Sequence, residues 1–299
     1  MAESQSGASE SGLRLRPGMS LIAAAAAFRA DLERKRRPRN TIESYLFDLT
    51  VLAHQIPEKS INQITADDIS RFLGEANTMS TRKRRLTSVR RFFRFLVDEA
   101  TVLSIDPTED FYPNRIELRV PEPLSPADQQ ALLDAAAEDE PWSLTAILVM
   151  MDAGLSRGEL LNLERGTIDR DSPYAVVIHV VTDDPRKPNQ NRDLRASERL
   201  AKAYGAFLET RDPDGRLFPY GFQAINGMVD RVRRSAGIGR AVTPRTLRDT
   251  FAVNRAINGA SEDELIQELG LADDLRNRQS IRRFLAFALQ SPGSAPASN

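Results

Sequence analysis

Residues 34–39 read Arg-Lys-Arg-Arg-Pro-Arg, and Lys83, Arg84, Arg90, Arg91 and Arg94 recur further along at helical spacing. Cations at this density suit one chemistry above others, the neutralisation of phosphates along a polyanion. Residues 20–95 hold 15 Lys and Arg against 8 Asp and Glu, a net +7; the remainder holds 26 against 34, a net −8. The whole-chain charge of −1 hides that split. A solvated helical surface that happens to be basic would give the same counts, so the polyanion is one of two readings at this point. Covalent chemistry has fewer carriers. Cysteine is absent, which removes disulfides, thiolate metal sites and a cysteine nucleophile. His54 and His179 are the only histidines, too few for a histidine zinc site and leaving a Ser-His-Asp triad few places to form. The last tyrosine is Tyr220; residues 221–299 offer no phenolic oxygen.

Helices must present these cations. Thr41 is predicted to cap a helix with Ser44, Tyr45, Leu46, Leu49 and Leu52 on or near its apolar face. Thr65 opens another in the cap-like run Thr65-Ala66-Asp67-Asp68, leading into Ile69, Phe72 and Leu73. The clearest periodicity predicts a helix from about Thr81 to Glu99. Its apolar side is Leu86, Val89, Phe92, Phe93, Leu96 and Val97, and Lys83, Arg84, Arg90, Arg91 and Arg94 lie opposite. Asp106-Pro107 breaks the pattern, and residues 107–123 read as an extended linker punctuated by Pro113, Pro121 and Pro123. Beyond it, Ser125-Pro126 is a capping serine with proline in the first turn. A buried helix runs from Trp142 through Met151 and ends at Gly154. Residues 175–181 are predicted as a strand, residues 183–192 as a polar turn, and helices resume at Ser197.

A chain of 299 residues exceeds one ordinary core and suits two domains of roughly 100 and 180 residues. Apolar content of 41% with 28% charged residues fits a soluble globular protein. No apolar run approaches the ~18 residues of a membrane span, and Leu21–Phe28 reads as a helix start rather than a signal peptide. The expected partition is a disordered tail over residues 1–18, a helical DNA-binding domain over 19–106, the linker 107–123, a second domain over 124–290, and a disordered tail over 291–299. The absence of cysteine fits a cytoplasmic protein, nucleoid-associated if it binds DNA.

The first block carries Asn40-Thr41, Tyr45, Asp48-Leu49, Ile64-Thr65, Asp68-Ile69, Phe72-Leu73, Ser80-Thr81, Arg84, Leu86, Val89-Arg90, Phe92-Phe93, Phe95-Leu96 and Asp106-Pro107. In that order and spacing it resembles the core-binding domain of phage integrases and other tyrosine recombinases, with an Xer-like two-domain plan. The second block resembles the catalytic domain of the same family. The match there lies in Gly154-Leu155, Glu159-Leu160, Leu163, Leu217-Phe218-Pro219, Thr243-Pro244, Leu247-Arg248, Thr250-Phe251-Ala252 and Ile266-Gln267-Glu268-Leu269-Gly270. The resemblance covers roughly residues 20–288. It implies a mostly α fold with a small β-sheet in the second domain, closing on duplex DNA as a two-domain clamp. It also implies phosphoryl transfer with no metal and no cofactor: two arginines hold the phosphate, histidines assist, a lysine on a β-turn protonates the leaving oxygen, and tyrosine attacks.

Carried over position by position, that site is eroded. The family reads Gly-Leu-Arg-x-x-Glu-Leu where this chain reads Gly154-Leu155-Ser156-Arg157-Gly158-Glu159-Leu160, so Ser156 holds the arginine position and Arg157 is one residue along. Lys187 matches the lysine that acts as acid. Of the His-x-x-Arg-His motif, Arg248 is retained, while Arg245 and Asp249 replace the histidines; Leu271 replaces a further histidine and Phe284 the tyrosine. Of these positions, only Lys187 and Arg248 keep the family's residue. The DNA-binding positions implied are Arg39, Thr41, Thr81, Arg82, Lys83, Arg84, Arg90, Arg91 and Arg94. The expectation is a DNA-binding pseudoenzyme of this family with double-stranded DNA as partner, associating with itself or an active relative through a C-terminal segment near Phe284–Leu289. The alternatives are a divergent but active site-specific recombinase, and an interaction module that no longer binds DNA.

Overall fold

Most helices in this protein start where a hydroxyl side chain can accept one of the first free backbone amides. Ser20, Thr65, Thr78, Ser125, Ser197 and Thr243 each do so in the computed structural model, which describes residues 15–112, 120–172, 175–181, 190–211 and 215–290. The chain divides into two units, Met1–Glu117 and Leu118–Asn299.

In the first unit, α1 (Leu21–Arg34), α2 (Arg39–Gln55), α3 (Ala66–Gly74) and α4 (Met79–Arg94) surround one apolar core. Phe28 is at its centre, edge-on to Phe92 at 5.5 Å between ring centroids and tilted against Phe95 at 5.4 Å. Two predicted starts shift. The second helix begins at Arg39 with Pro38 in the cap position, so Thr41 sits inside its first turn and caps nothing; proline fixes the backbone angle there without needing a partner for its nitrogen. The fourth begins at Met79 because Thr78, not Thr81, accepts the free amide, that of Thr81 itself, at 3.1 Å. It ends as an α-helix at Arg94, and a π-turn over Phe95–Glu99 completes the length expected of it. Of the tail expected over residues 1–18, residues 1–14 lie outside the described residues, Leu15 packs against this core, and Asn62 N donates to the Pro17 carbonyl at 3.3 Å. Phe111, assigned to the linker, packs on the same core. Residues 113–119 and 291–299 lie outside the described residues.

The second unit is built around α6 (Ser143–Asp152). Eight of its ten residues are buried, so it is the element the others pack upon. Around it stand α5 (Pro126–Ala137), α7 (Arg157–Asn162), α8 (Glu198–Thr210), α9 (Phe222–Ser235) and α10 (Pro244–Ile257). Gly154 ends α6 at φ +69°, and a side chain there would run into the Phe251 ring, so two constraints select glycine. A second apolar cluster joins α10 to α11 (Glu262–Glu268) and α12 (Leu275–Gln290) through Phe251, Leu265, Ile281 and Phe284. The C-terminal helix thus packs on its own chain.

The sheet is antiparallel, β1 (Ile168–Ser172), β2 (Ala175–Val180) and β3 (Arg192–Arg195) in that order. Val176, Ile178 and Val180 face the core with Leu194. On the other face His179 bonds Asp193 (2.7 Å) and Asp169 (3.0 Å) on the strands either side. Those hydrogen bonds raise the His179 pKa. Arg192, expected in a polar turn, is the first residue of β3; its pairing with Val180 overrides the local polarity.

Asp68 shows how the caps couple to charge. Its buried carboxylate accepts from Thr65 N and Oγ1 (both 2.9 Å), from Lys59 Nζ (2.7 Å) and from Arg71 Nη2 (2.5 Å). Burial alone would raise its pKa, but hydrogen bonds from Lys59 and Thr65 outweigh that and hold it at about 2, against 3.8 unperturbed. Since the folded value lies below the unfolded one, this stabilisation is complete above about pH 4 and is lost as pH falls toward 2. Asp68→Asn is expected to flatten the acid limb of a Tm-versus-pH series followed by circular dichroism. An acid limb unchanged by the substitution would place the linkage elsewhere.

Candidate active site and nucleic-acid interface

The basic run of the first unit separates into committed and uncommitted cations. Arg84 Nη1 lies 2.6 Å from Asp48 Oδ2, a fully buried carboxylate that also accepts from Ser88 Oγ at 2.7 Å. Arg85 turns inward, donating to the Phe72 carbonyl (2.7 Å) with its guanidinium over the Phe72 ring. Arg34 and Lys35 pair with the buried Asp31 at 2.5 and 2.7 Å, and Lys35 also meets Glu99. Arg91 is 3.7 Å from Glu99, and Arg39 is 2.7 Å from Glu43 on an exposed turn. Arg82, Lys83, Arg90 and Arg94 on α4 make no ion pair among the described residues. Thr41 is half-buried, and Thr81 receives a hydrogen bond from Thr78 Oγ1 at 2.9 Å. α2 and α4 share one surface at Arg84, which reaches Ser44 at 3.4 Å and lies over the exposed Phe47 ring at 5.9 Å.

The second unit explains why serine stands at 156. Ser156 caps α7: its hydroxyl accepts from Glu159 N (3.3 Å), and Glu159 Oε2 accepts from Ser156 N (2.7 Å). The other carboxylate oxygen of Glu159 accepts from Arg192 Nη1 at 2.7 Å, and Arg248 Nη1 lies 3.6 Å from Oε2. Burial would raise the Glu159 pKa; Arg192 above all, with Arg248, outweighs it and lowers it. Arg192 also donates to the Glu268 carbonyl (2.8 Å) and the Gln190 carbonyl (3.0 Å), and Arg248 donates to the Leu269 carbonyl. Arg248 is thus half-buried against a carboxylate and a carbonyl, and desolvation lowers its pKa.

Ser156, Arg157, Arg245 and Arg248 line one open cleft of about 630 Å³, together with Asn226, Asp230 and Thr243. Next to it, Arg245, Asp249, Arg283 and Phe284 line a smaller pocket of about 170 Å³. Of the positions singled out in the sequence, Ser156, Arg157, Arg245, Arg248, Asp249 and Phe284 line one or both of these cavities. Asp249 is 3.7 Å from Arg245; its burial raises its pKa, against the pull of Arg245, Arg248 and Arg283. Phe284 is buried with Phe251 and Ile281, and Leu271 packs on the same cluster. Lys187 lies outside the described residues. Thr250 Oγ1 is buried, donating to the Thr246 carbonyl (2.8 Å) and accepting from Leu124 N (2.9 Å), while Ser280 Oγ accepts from Arg283 at 2.8 Å. Sequence reasoning passed over Glu159 and Arg192 as functional groups. The Ser-x-x-Glu spacing was a visible capping signal for the first; nothing local marks an arginine in a polar stretch as buried.

Residues 25–100 match the phage integrase N-terminal SAM-like domain. Over 259 residues the chain is 29% identical to tyrosine recombinase XerD of Ralstonia nicotianae, covering 79% of this chain and 81% of that protein. It is 26% identical over 264 residues to tyrosine recombinase XerC of Myxococcus xanthus, covering 81% and 86%. Among solved structures, a lambda integrase dimer bound to a COC′ core site superposes with a TM-score of 0.69 at 14% identity, over 87% of this chain and 76% of that one. The Tn1549 transposon integrase in complex with transposon right end DNA gives 0.67 at 17% identity, over 88% and 94%. At these identities the structural likeness establishes the fold: mostly helical, with a small sheet in the second unit.

Two stability measurements test this assignment of roles. Arg84→Ala strands the buried Asp48 carboxylate and is expected to cost about 2–3 kcal/mol in urea unfolding, whereas Lys83→Ala, Arg90→Ala and Arg94→Ala should each stay within about 0.5 kcal/mol. Equal effects at all four positions would contradict the division. Gly270 adopts φ +58°, and a Cβ there would overlap the Arg192 guanidinium. Gly270→Ala should therefore cost roughly 2 kcal/mol or more, from backbone strain and displacement of Arg192; a silent substitution would show Arg192 free to move.

Proposed function

We propose that the chain is a member of the tyrosine recombinase family that binds duplex DNA without cutting it. The observation that carries the reading is the state of the convergent site. Phenylalanine is buried where the attacking tyrosine belongs, and Ser156 is engaged in a helix cap where the first clamp arginine belongs. Attack on a phosphodiester needs an oxygen nucleophile aligned with the leaving oxygen, cationic forks for the developing charge, and an acid for the leaving group. Phe284 supplies no oxygen. Arg245 in a histidine's place still donates hydrogen bonds but does not give up a proton near neutral pH. Asp249 adds negative charge where the substrate is an anion.

Binding asks for less. Lys83, Arg90 and Arg94, with Arg82, present uncommitted charge on α4, and phosphate contacts of this kind set affinity and salt dependence rather than sequence choice. DNA-bound assemblies among the similar structures support including self-association, or pairing with an active relative on one site, in the proposal.

The test is duplex binding by fluorescence anisotropy, with a nicked suicide substrate assayed in parallel for a covalent adduct. Four phosphate contacts predict a loss of affinity on the order of 10²-fold between about 50 and 200 mM salt. The triple variant Lys83→Ala, Arg90→Ala, Arg94→Ala should remove most of the binding. No adduct is expected from the native chain, nor from Phe284→Tyr, because Ser156, Asp249 and Leu271 remain. An adduct from the native chain would establish a divergent active recombinase; no binding at low salt by folded protein would establish an interaction module.

A further inference from the structure

The cleft of the second unit holds three arginines in different electrostatic states. Arg248 has Glu159 at 3.6 Å, and Arg245 has Asp249 at 3.7 Å. Arg157 makes no ion pair among the described residues. It is nevertheless fixed in place. Its guanidinium lies over the Phe222 ring, 4.5 Å from the centroid, and Nη1 donates to Asn226 Oδ1 at 2.6 Å. Both partners come from α9, so α9 holds an arginine of α7 at the cleft wall. The contact also accounts for Phe222 being left 39% exposed. Asp230, the carboxylate on the same wall, is engaged by Arg233 (2.8 Å) and Arg234 (3.1 Å).

An arginine held by a ring and a neutral amide keeps its full charge and most of its donors. Stacking fixes the guanidinium plane while leaving its edge open, and one amide bond uses one of five N–H groups. Such a fork is pre-organised for the paired oxygens of a phosphate and loses little freedom on binding. Glu159 and Asp249, by contrast, already compensate much of the charge of the other two arginines.

We infer that Arg157, positioned by Phe222 and Asn226, is the residue with which this cleft holds a phosphodiester of duplex DNA, replacing the arginine absent at Ser156. The contact is non-covalent. The inference rests on the DNA-binding reading, and the experiment separates the two. Anisotropy titrations of the full chain with a DNA duplex are run at several salt concentrations. Arg157→Ala should weaken binding about 10-fold near 100 mM salt and lower the slope of log K against log [salt] by about 0.9, the value of one phosphate contact. Arg157→Gln, which keeps length and hydrogen bonding, should lose the same slope and guards against misfolding of the alanine variant. Arg157→Lys should retain the slope but recover affinity incompletely. Phe222→Leu and Asn226→Ala leave the charge and act through its position, so affinity falls while the slope holds. If the native chain binds DNA and the α4 triple variant does not, yet Arg157→Ala and Arg157→Gln match the native chain in affinity and slope, the inference is overturned and the function stands. If the native chain binds no DNA at low salt, both fall together.

Discussion

The second unit depends on one carboxylate. Glu159 accepts from the Ser156 amide with one oxygen and from Arg192 with the other, and Arg248 approaches the first. A buried carboxylate without partners is costly, and so is a buried guanidinium; here each removes the penalty of the other. Because Arg192 and Arg248 also donate to the carbonyls of Glu268 and Leu269, the ionic cluster fixes the start of α7, the edge of the sheet and the turn before α12 together. Gly270 is the clearance this requires. Removing Glu159 would leave two guanidinium groups facing backbone carbonyls alone, so this carboxylate is the member the cluster can least spare.

The same physics governs the first unit and corrects a count made from sequence. Asp31, Asp48 and Asp68 are buried carboxylates, and each commits one or more of the cations that make residues 20–95 look uniformly basic. A charge total is legible in a sequence. Which cations remain available is not, because Arg84 finds Asp48 on another helix and Lys35 finds Glu99 at the far end of the unit. Net +7 therefore overstates the surface offered to a polyanion. With Arg85 turned inward, the exposed or half-exposed cations there without an ion pair among the described residues narrow to Arg36 and Arg37 before α2 and to Arg82, Lys83, Arg90 and Arg94 on α4.

Elements with strong local signals were readable: the Thr65–Asp68 box, the Ser125-Pro126 start and the apolar periodicity of α4. The errors have physical causes. Thr41 is a plausible cap, yet its helix already begins at Arg39 after Pro38, and the start read near Thr81 falls at Met79 because Thr78 accepts the free amide. β1 and β3, with Asp169-Arg170-Asp171 and Arg192-Asp193, lack the alternation of a strand and exist because β2 offers them backbone partners. Ser156, Arg245, Arg248, Asp249 and Phe284, distant in sequence, line one cleft and its neighbouring pocket. What the alignment missed was the cage around Arg157, since the spacing that displaced it from the motif says nothing of Phe222 and Asn226 waiting on α9.

Holding a phosphate and cleaving its ester make different demands on the same arginines. Affinity gains from any well-placed charge, whereas rate gains only from interactions that strengthen as the transition state forms. Arg245 beside Asp249 and Arg248 beside Glu159 are arginines already answered by carboxylates, so charge developing on a phosphoryl oxygen would compete with anions fixed in the fold. Arg157 is under no such competition, but it stands outside the motif geometry that would align it with a leaving oxygen. A site in this state can grip a backbone while offering little extra to a transition state. On the proposed reading, the phenyl ring at Phe284 belongs with this electrostatic arrangement, and a hydroxyl added there alone would leave the arrangement as it was.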